Sequence, residues 1–287
     1  MRLSYYPGCS LHGTALDYDL SVQEICKKLD IDLVEIPDWN CCGASSAHMT
    51  DHEIGMRLPI RNLMLAQGLG NDILVPCAAC FQRLCAADKA LKKDTAFWDV
   101  KEYTPSKIIH ISTLLSRPEI LERLTSMTKK PLADLQIACY YGCLSLRHPK
   151  ITGAVNHEMP ESLENIMRAI GARPVSWSHR TECCSGSLTM ARPDIAQKLV
   201  GGIALAAKRA GATAMVVDCP MCQANVESRQ LDNPGAGMLL PVFFATELIA
   251  AALSGDYPKK QQKVHLIDPG ILTNFFHTST SAGEGSA

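Results

Sequence analysis

The chain has 287 residues, 47% of them hydrophobic and 20% charged, which is the balance of a globular protein with ample apolar surface for a core. A formal net charge of −1 argues against nucleic acid or an acidic membrane surface as a partner. The most apolar stretch, Met238–Leu253, is broken by Pro241 and Glu247 and falls short of a bilayer span, so no direct membrane insertion is expected.

Short β-branched runs alternate with longer helical patterns along the chain. A strand over Leu3–Tyr6 runs into Cys9 with no secretory signal before it. A helix over Ala15–Leu29 and a strand over Ile31–Ile36 lead to Trp39-Asn40-Cys41-Cys42-Gly43. Next come a helix over His52–Leu69, a strand over Asp72–Val75 that stops at Cys77-Ala-Ala-Cys80, and a helix over Phe81–Ala90. A strand over Ile108–Ile111 and a short helix over Ser112–Ser116 precede the polar stretch Arg123–Pro131, which reads as a domain boundary.

The second half repeats the order. A strand over Leu135–Tyr141 runs into Cys143, and a helix over Pro160–Ala169 and a strand over Pro174–Trp177 lead to Cys183-Cys184-Ser185-Gly186. A helix over Arg192–Ala210 and a strand over Ala214–Val217 lead to Cys219-Pro-Met-Cys222, followed by a helix over Thr246–Ser254 and a strand over Lys263–Ile267. The alternation predicts an α/β fold of two pseudo-symmetric domains, residues 1–128 and 129–276, each with a mainly parallel sheet flanked by helices. The Ser/Thr/Gly/Ala-rich residues 277–287 read as a flexible tail.

Ten of the thirteen cysteines therefore form two copies of one pattern: a lone Cys, a Cys-Cys pair and a Cys-x-x-Cys. In both, 34 residues separate the pair from the Cys-x-x-Cys (43–76 and 185–218). The expected setting is the cytoplasm, where thiols stay reduced, so a framework of structural disulfides is disfavoured and metal or redox chemistry favoured. Thiolates select zinc, Cu(I) or iron-sulfur clusters, and a Cys-x-x-Cys alone does not choose among them. Five thiols per copy exceed the four that zinc or an ordinary cubane takes, although a structural zinc site with spare thiols is the plainer alternative. The cysteines fall where strands end, the edge at which open parallel sheets bind ligands.

The doubled pattern, with Trp39-Asn40-Cys41-Cys42-Gly43 and Tyr141-Gly142-Cys143, resembles the CCG domain, and two copies in one chain resemble the B subunit of heterodisulfide reductase. The likeness covers residues 3 to about 250. It implies two non-cubane [4Fe-4S] clusters, one on Cys9, Cys41, Cys42, Cys77 and Cys80 and one on Cys143, Cys183, Cys184, Cys219 and Cys222. It further implies a disulfide substrate, a small molecule or one carried on a small protein, that is cleaved or formed between the clusters by two one-electron steps. Partners implied by the same resemblance are a C-type subunit with ordinary [4Fe-4S] clusters and a flavin-carrying A subunit. An electron-transfer subunit of another oxidoreductase is the alternative, because CCG domains also occur in such complexes.

One departure from the family pattern is Ser185, which displaces the glycine after the second pair by one position and is expected to make the two sites differ. Cys26 and Cys85 read as core or packing residues, and Cys139 yields to Cys143 as the lone ligand. His12, His48, His52, His148 and His179 lie near motif cysteines in sequence; His48 and His148 are the candidate substrate contacts, on general acid-base grounds. Arg147 is the candidate receptor for an anionic substrate group. Met221 would line an apolar approach to its site or simply pack.

Overall fold

The computed structural model of the protein describes residues 1–44, 47–232 and 239–277. Strands β1 (Arg2–Tyr5), β2 (Asp32–Glu35), β3 (Ile73–Val75) and β4 (Ile108–His110) form a parallel sheet in the order β2-β1-β3-β4. A second parallel sheet, in the order β6-β5-β7-β8, is built from β5 (Gln136–Cys139), β6 (Arg173–Pro174), β7 (Ala214–Val217) and β8 (Val242–Phe244). The inner strands Ile73–Val75 and Ala214–Val217 are buried throughout. That is the burial expected where helices cover both faces of a sheet, and it explains their unbroken apolar runs.

The first half contributes helices α1 (Gly8–Leu11), α2 (Leu16–Lys28), α3 (Ala47–Thr50), α4 (His52–Gln67), α5 (Ala78–Lys93), α6 (Ile111–Leu115) and α7 (Pro118–Met127). From the second come α8 (Pro149–Thr152), α9 (Ser162–Ala169), α10 (Pro193–Arg209), α11 (Pro220–Leu231), α12 (Ala245–Ser254), α13 (Lys259–Gln262) and α14 (Gly270–His277). Their ends follow local chemistry. The Asp51 side chain accepts from the Ile54 N–H at 2.8 Å to start α4, and Gly255 at φ +78° stops α12.

The halves pack reciprocally. Helix α2 lies against α12, and α9 lies against α6 and α7, so each first crossover helix meets the helix that follows the other half's last strand. Tyr18 of α2 stacks on Phe244 with ring centroids 4.0 Å apart. Its hydroxyl shares one hydrogen between the Pro76 carbonyl at 3.2 Å and the Asp218 carbonyl at 3.1 Å. A 2.7 Å hydrogen bond joins the Ser21 and Thr246 hydroxyls beside it.

The α/β expectation holds, with three local corrections. Residues 263–267 are not a strand: His265 turns inward, Val264 and Leu266 stay exposed, and the Leu266 N–H goes to the Glu227 carboxylate at 3.0 Å instead of to a sheet. The eighth strand is Val242–Phe244, a run too short to separate by periodicity from the apolar helix after it. Helix α7 occupies 118–127, so much of the polar stretch expected as a boundary is helical. Residues 278–287 of the expected tail lie outside the described residues.

Candidate metal centres

In each half the lone cysteine and the Cys-x-x-Cys come from neighbouring strands. Cys9 follows β1 and Cys77 follows β3; Cys143 follows β5 and Cys219 follows β7. These are the sheet's switch points, where successive crossovers leave in opposite directions and open a crevice. Cys77 and Cys219 are also the residues at which α5 and α11 begin, so Cys80 and Cys222 sit in the first helical turn, on the same side. The Cys-Cys pairs arrive from the loop after each edge strand.

The thiols meet in matching pairs. Cys9 and Cys41 Sγ are 3.9 Å apart and Cys42 and Cys80 Sγ 3.3 Å; the counterparts Cys143–Cys183 and Cys184–Cys222 stand at 3.7 and 3.6 Å. All thirteen cysteines are free. These separations far exceed the ~2.05 Å of a disulfide and match the ~3.8 Å between two thiolates held tetrahedrally at ~2.3 Å by one metal atom. Among the described residues no three His, Cys, Asp or Glu side chains converge on a single point fit for one ion. An all-sulfur donor set suits iron or another thiophilic metal.

Crowding sets the protonation of these thiols. Cys42, hydrogen-bonded by Cys41 and Cys80, is held down at about 3, with Arg83 adding to the effect. Cys143 beside it lowers Cys183 to about 6. Cys222 and Cys77 hold Cys219 low against its burial, and the Cys77–Cys219 contact brings the two halves' sites together. Partners Cys41, Cys80, Cys143 and Cys222 are pushed up in return. Cys42, Cys183 and Cys219 thus favour the thiolate, the form that ligates a metal.

The backbone around both sites is equally matched. Gly8 (φ +72°) and Gly142 (φ +64°) leave no room for a side chain: a Cβ at either would lie 2.8 Å from Cys80 Sγ or Cys222 Sγ, respectively. Gly43 adopts φ +75° and its N–H donates to Cys41 Sγ at 3.4 Å. Ser185 adopts φ +63° and its N–H donates to Cys183 Sγ at 3.3 Å. The expected difference at Ser185 is therefore not seen in the turn, because serine takes the left-handed conformation that glycine takes in the first half. At Gly186 an added Cβ would lie 3.3 Å from Met221 Cε and 3.5 Å from Cys184 Sγ.

Some supporting residues escaped the sequence reading. Tyr6 donates to the Asn40 carbonyl and Tyr140 to the Glu182 carbonyl, both at 2.7 Å, and each carbonyl belongs to the residue before a Cys-Cys pair. The tyrosines thus tie each pair to the strand that carries the lone cysteine. Their shared position three residues before Cys9 and Cys143 was the available signal. Burial, then the neighbouring thiols, pushes both phenols up, so they remain donors. Arg83, three residues past Cys80, also went unnoticed.

A cavity of about 250 Å³ lies between the halves. All five thiols of the second set line it, with Leu144, Ser187 and Met221, and the first half contributes Ala44, His48, Ala78, Ala79, Gln82 and Arg83. His48 thus faces the crevice, its Nδ1 3.3 Å from the Gly43 carbonyl. His148 and Arg147 do not line it: His148 accepts from the Lys150 N–H at the start of α8, and Arg147 pairs with Glu158 at 3.8 Å on the surface, where it lowers the nearby Cys183. His12 pairs with Glu35 at 3.5 Å, and His179 Nδ1 lies 2.8 Å from the Ser178 hydroxyl. Cys26, Cys85 and Cys139 are buried away from the ten, with burial pushing the first two up to about 12.

The cysteine-rich domain family known as CCG matches residues 3–84 and again 137–227. The chain belongs to the CCG family. Among relatives of this CCG protein is the 8-methylmenaquinol:fumarate reductase membrane anchor subunit of Wolinella succinogenes, 31% identical over 88% of this chain and 92% of that one. The B subunit of the ferredoxin/F(420)H(2)-dependent CoB-CoM heterodisulfide reductase of Methanosarcina acetivorans is 26% identical over 88% and 89%. An Archaeoglobus profundus protein, named for its likeness to the B subunit of heterodisulfide reductase, is 23% identical over 91% and 93%. A solved structure of a hypothetical protein from Helicobacter pylori shares the fold, with a TM-score of 0.72 and 11% identity, over 93% of this chain and 52% of that one. Both of the first two relatives are named as subunits of reductases. Among the described residues no helix is long and apolar enough to cross a membrane.

Proposed function

We propose that this CCG protein is the disulfide-handling B subunit of a heterodisulfide reductase-like complex, with one non-cubane [4Fe-4S] cluster in each half. Cys9, Cys41, Cys42, Cys77 and Cys80 would hold one, and Cys143, Cys183, Cys184, Cys219 and Cys222 the other. The observation that carries the reading is the meeting of the two five-thiol sets through Cys77 and Cys219 beside a cavity lined by both halves. Such clusters supply single electrons, and two of them match the two that convert one disulfide and two protons into two thiols. The chain's own contribution is to hold the thiols at the switch points, keep the loops in register through Tyr6 and Tyr140, and place His48 in the crevice. Electrons would come from C-type and flavin-carrying A subunits.

Anaerobically purified protein, given a chemical electron donor and a disulfide, should release two thiols per disulfide consumed. Iron and acid-labile sulfide without thiol release from any disulfide would sink the enzymatic reading. That outcome would favour a second reading, an electron-transfer subunit, which the Wolinella relative at 31% identity supports because its name assigns it an anchoring place in a quinol:fumarate reductase. Zinc without iron or sulfide would sink both.

A further inference from the structure

Each sheet has an outer strand at the same place in the fold, β2 in the first half and β6 in the second, and the two are finished differently. In β6 the N–H groups of Arg173 and Val175 go to the Leu135 and Ile137 carbonyls. The residue between them, whose N–H would face outward, is Pro174, which has none. At the far side of the same sheet, the outward N–H groups of β8 belong to Val242 and Phe244. They are taken by the Glu227 and Glu247 carboxylates at 3.4 and 3.2 Å. Both edges of the second sheet are thus closed to another strand.

Strand β2 has no such guard. Asp32 and Ile36 donate to the Met1 and Tyr5 carbonyls at 2.8 and 3.0 Å, so strand alternation turns the N–H and carbonyl groups of Leu33 and Glu35 outward. Among the described residues nothing takes them up. Beside this edge runs an open groove of about 660 Å³, between β2 and the Leu20, Glu24 and Lys27 face of α2. Leu20 is 50% exposed there, and Leu33 is half-buried. Four carboxylates, those of Glu24, Asp30, Asp32 and Glu35, line the groove against one ammonium, that of Lys27. Lys28, Arg123, Arg2 and His12 meet these carboxylates only in exposed pairs at 2.7–3.6 Å, which contribute little in water. Pairing with a second copy would lay one acidic edge against another. A strand rich in Lys or Arg brings the complementary charge.

We propose that β2 is the docking edge for a partner subunit, which adds an extended segment bearing Lys or Arg among apolar residues as a fifth strand of the first sheet. Main-chain hydrogen bonds to Leu33 and Glu35 hold the segment, the groove carboxylates select its charge, and Leu20 and Leu33 seat an apolar side chain. The assignment rests on the chain's proposed place in a complex and is independent of the disulfide chemistry. Because Pro174 closes the equivalent edge, each chain takes one such strand.

Hydrogen exchange at residue resolution tests this on the complex, isolated without oxygen through a tag on this chain, and on the chain alone. In the complex the Leu33 and Glu35 amides should slow by about 10-fold or more, while those of Asp32 and Ile36, already bonded, change less. The partner segment that slows with them should be extended and carry a net positive charge. Two variants should each lower the share of chain found in the complex by about 10-fold. One is Glu24→Lys with Asp32→Lys, which reverses the groove's charge and should melt alone as the natural chain does. The other is Leu33→Pro, which copies the guard of β6 without removing a bond to β1. Unchanged exchange at Leu33 and Glu35 in a complex that does form overturns the assignment and leaves the subunit reading standing. So does protection of that edge by a second copy of this chain, or by an acidic or helical partner segment, or a charge-reversed chain that assembles as before. A chain recovered with no partner at all overturns the assignment and counts against the subunit reading as well.

Discussion

Gly8 shows how a single missing side chain can be required by a set of packed thiols. At φ +72° an L-residue is strained, and its Cβ would press on Cys80 Sγ at 2.8 Å, so both backbone and thiol would have to move. Gly70 is an internal control, with a similar φ of +67° but nothing within 4 Å of a Cβ. With one cluster per half, as proposed, Gly8→Ala should lower iron bound per chain by about half, while Gly70→Ala keeps it. Equal iron in both variants by metal analysis would refute the close-approach argument. Ser185 teaches the converse: a residue other than glycine can hold the turn, with the same N–H to thiol contact as Gly43.

At the scale of elements, α2 and α12 set how the two thiol sets face each other. Tyr18 reaches from α2 to the carbonyls of Pro76 and Asp218, the residues immediately before Cys77 and Cys219. One phenol thus anchors both strand ends at the point where the sites meet. Tyr18→Phe keeps the stack on Phe244 but leaves two buried carbonyls without their donor, a loss of about 1–3 kcal/mol. Urea denaturation should show that loss, and an unchanged midpoint would mean that the carbonyls find other donors. In contrast, the tyrosines Tyr6 and Tyr140 work within a half, each joining a lone-cysteine strand to its own Cys-Cys loop.

Across the whole molecule, the chain beyond α12 is secured to the second domain by a buried charge cluster. His265 lies between Glu227 at 3.0 Å and Glu247 at 2.9 Å, and its side chain is 1% exposed. Tyr257 donates to Glu247 at 2.8 Å, and Asp17 of the first half also faces the cluster. Burial disfavours the imidazolium, but the two carboxylates outweigh it and raise the histidine from 6.5 to about 10. A histidine raised on folding stabilises fully below its unfolded value, and the contribution fades as pH rises through the folded one. Thermal stability should therefore decline between pH 6.5 and about 10 by an amount on the order of a few kcal/mol. His265→Gln should be less stable at pH 6.5 and nearly flat across that window. A natural protein as stable at pH 10 as at pH 6.5 would contradict the charged assignment.

The α/β class, the paired halves and the ten cysteines were legible in the sequence because each rests on local pattern: strand and helix periods, and thiols at fixed distances from strand ends. Cys77 and Cys219 needed only a short apolar run ending in Cys-x-x-Cys to be placed at a sheet edge. Val242–Phe244 and residues 263–267 were misread because a three-residue strand carries no period of its own, and because His265 is turned inward by carboxylates from distant parts of the chain. Which side chains meet between the halves was decided only by tertiary packing. Sequence proximity nominated His48, His148 and Arg147 alike, yet the crevice takes His48, leaves the other two outside and brings in Arg83 from α5 of the first half. Contacts across a pseudo-two-fold depend on how two sheets are set against each other, and no local spacing encodes that. The sequence by itself determined that two sets of five thiols would form; the packing of α2 on α12 and α9 on α6 decided that they would face one another.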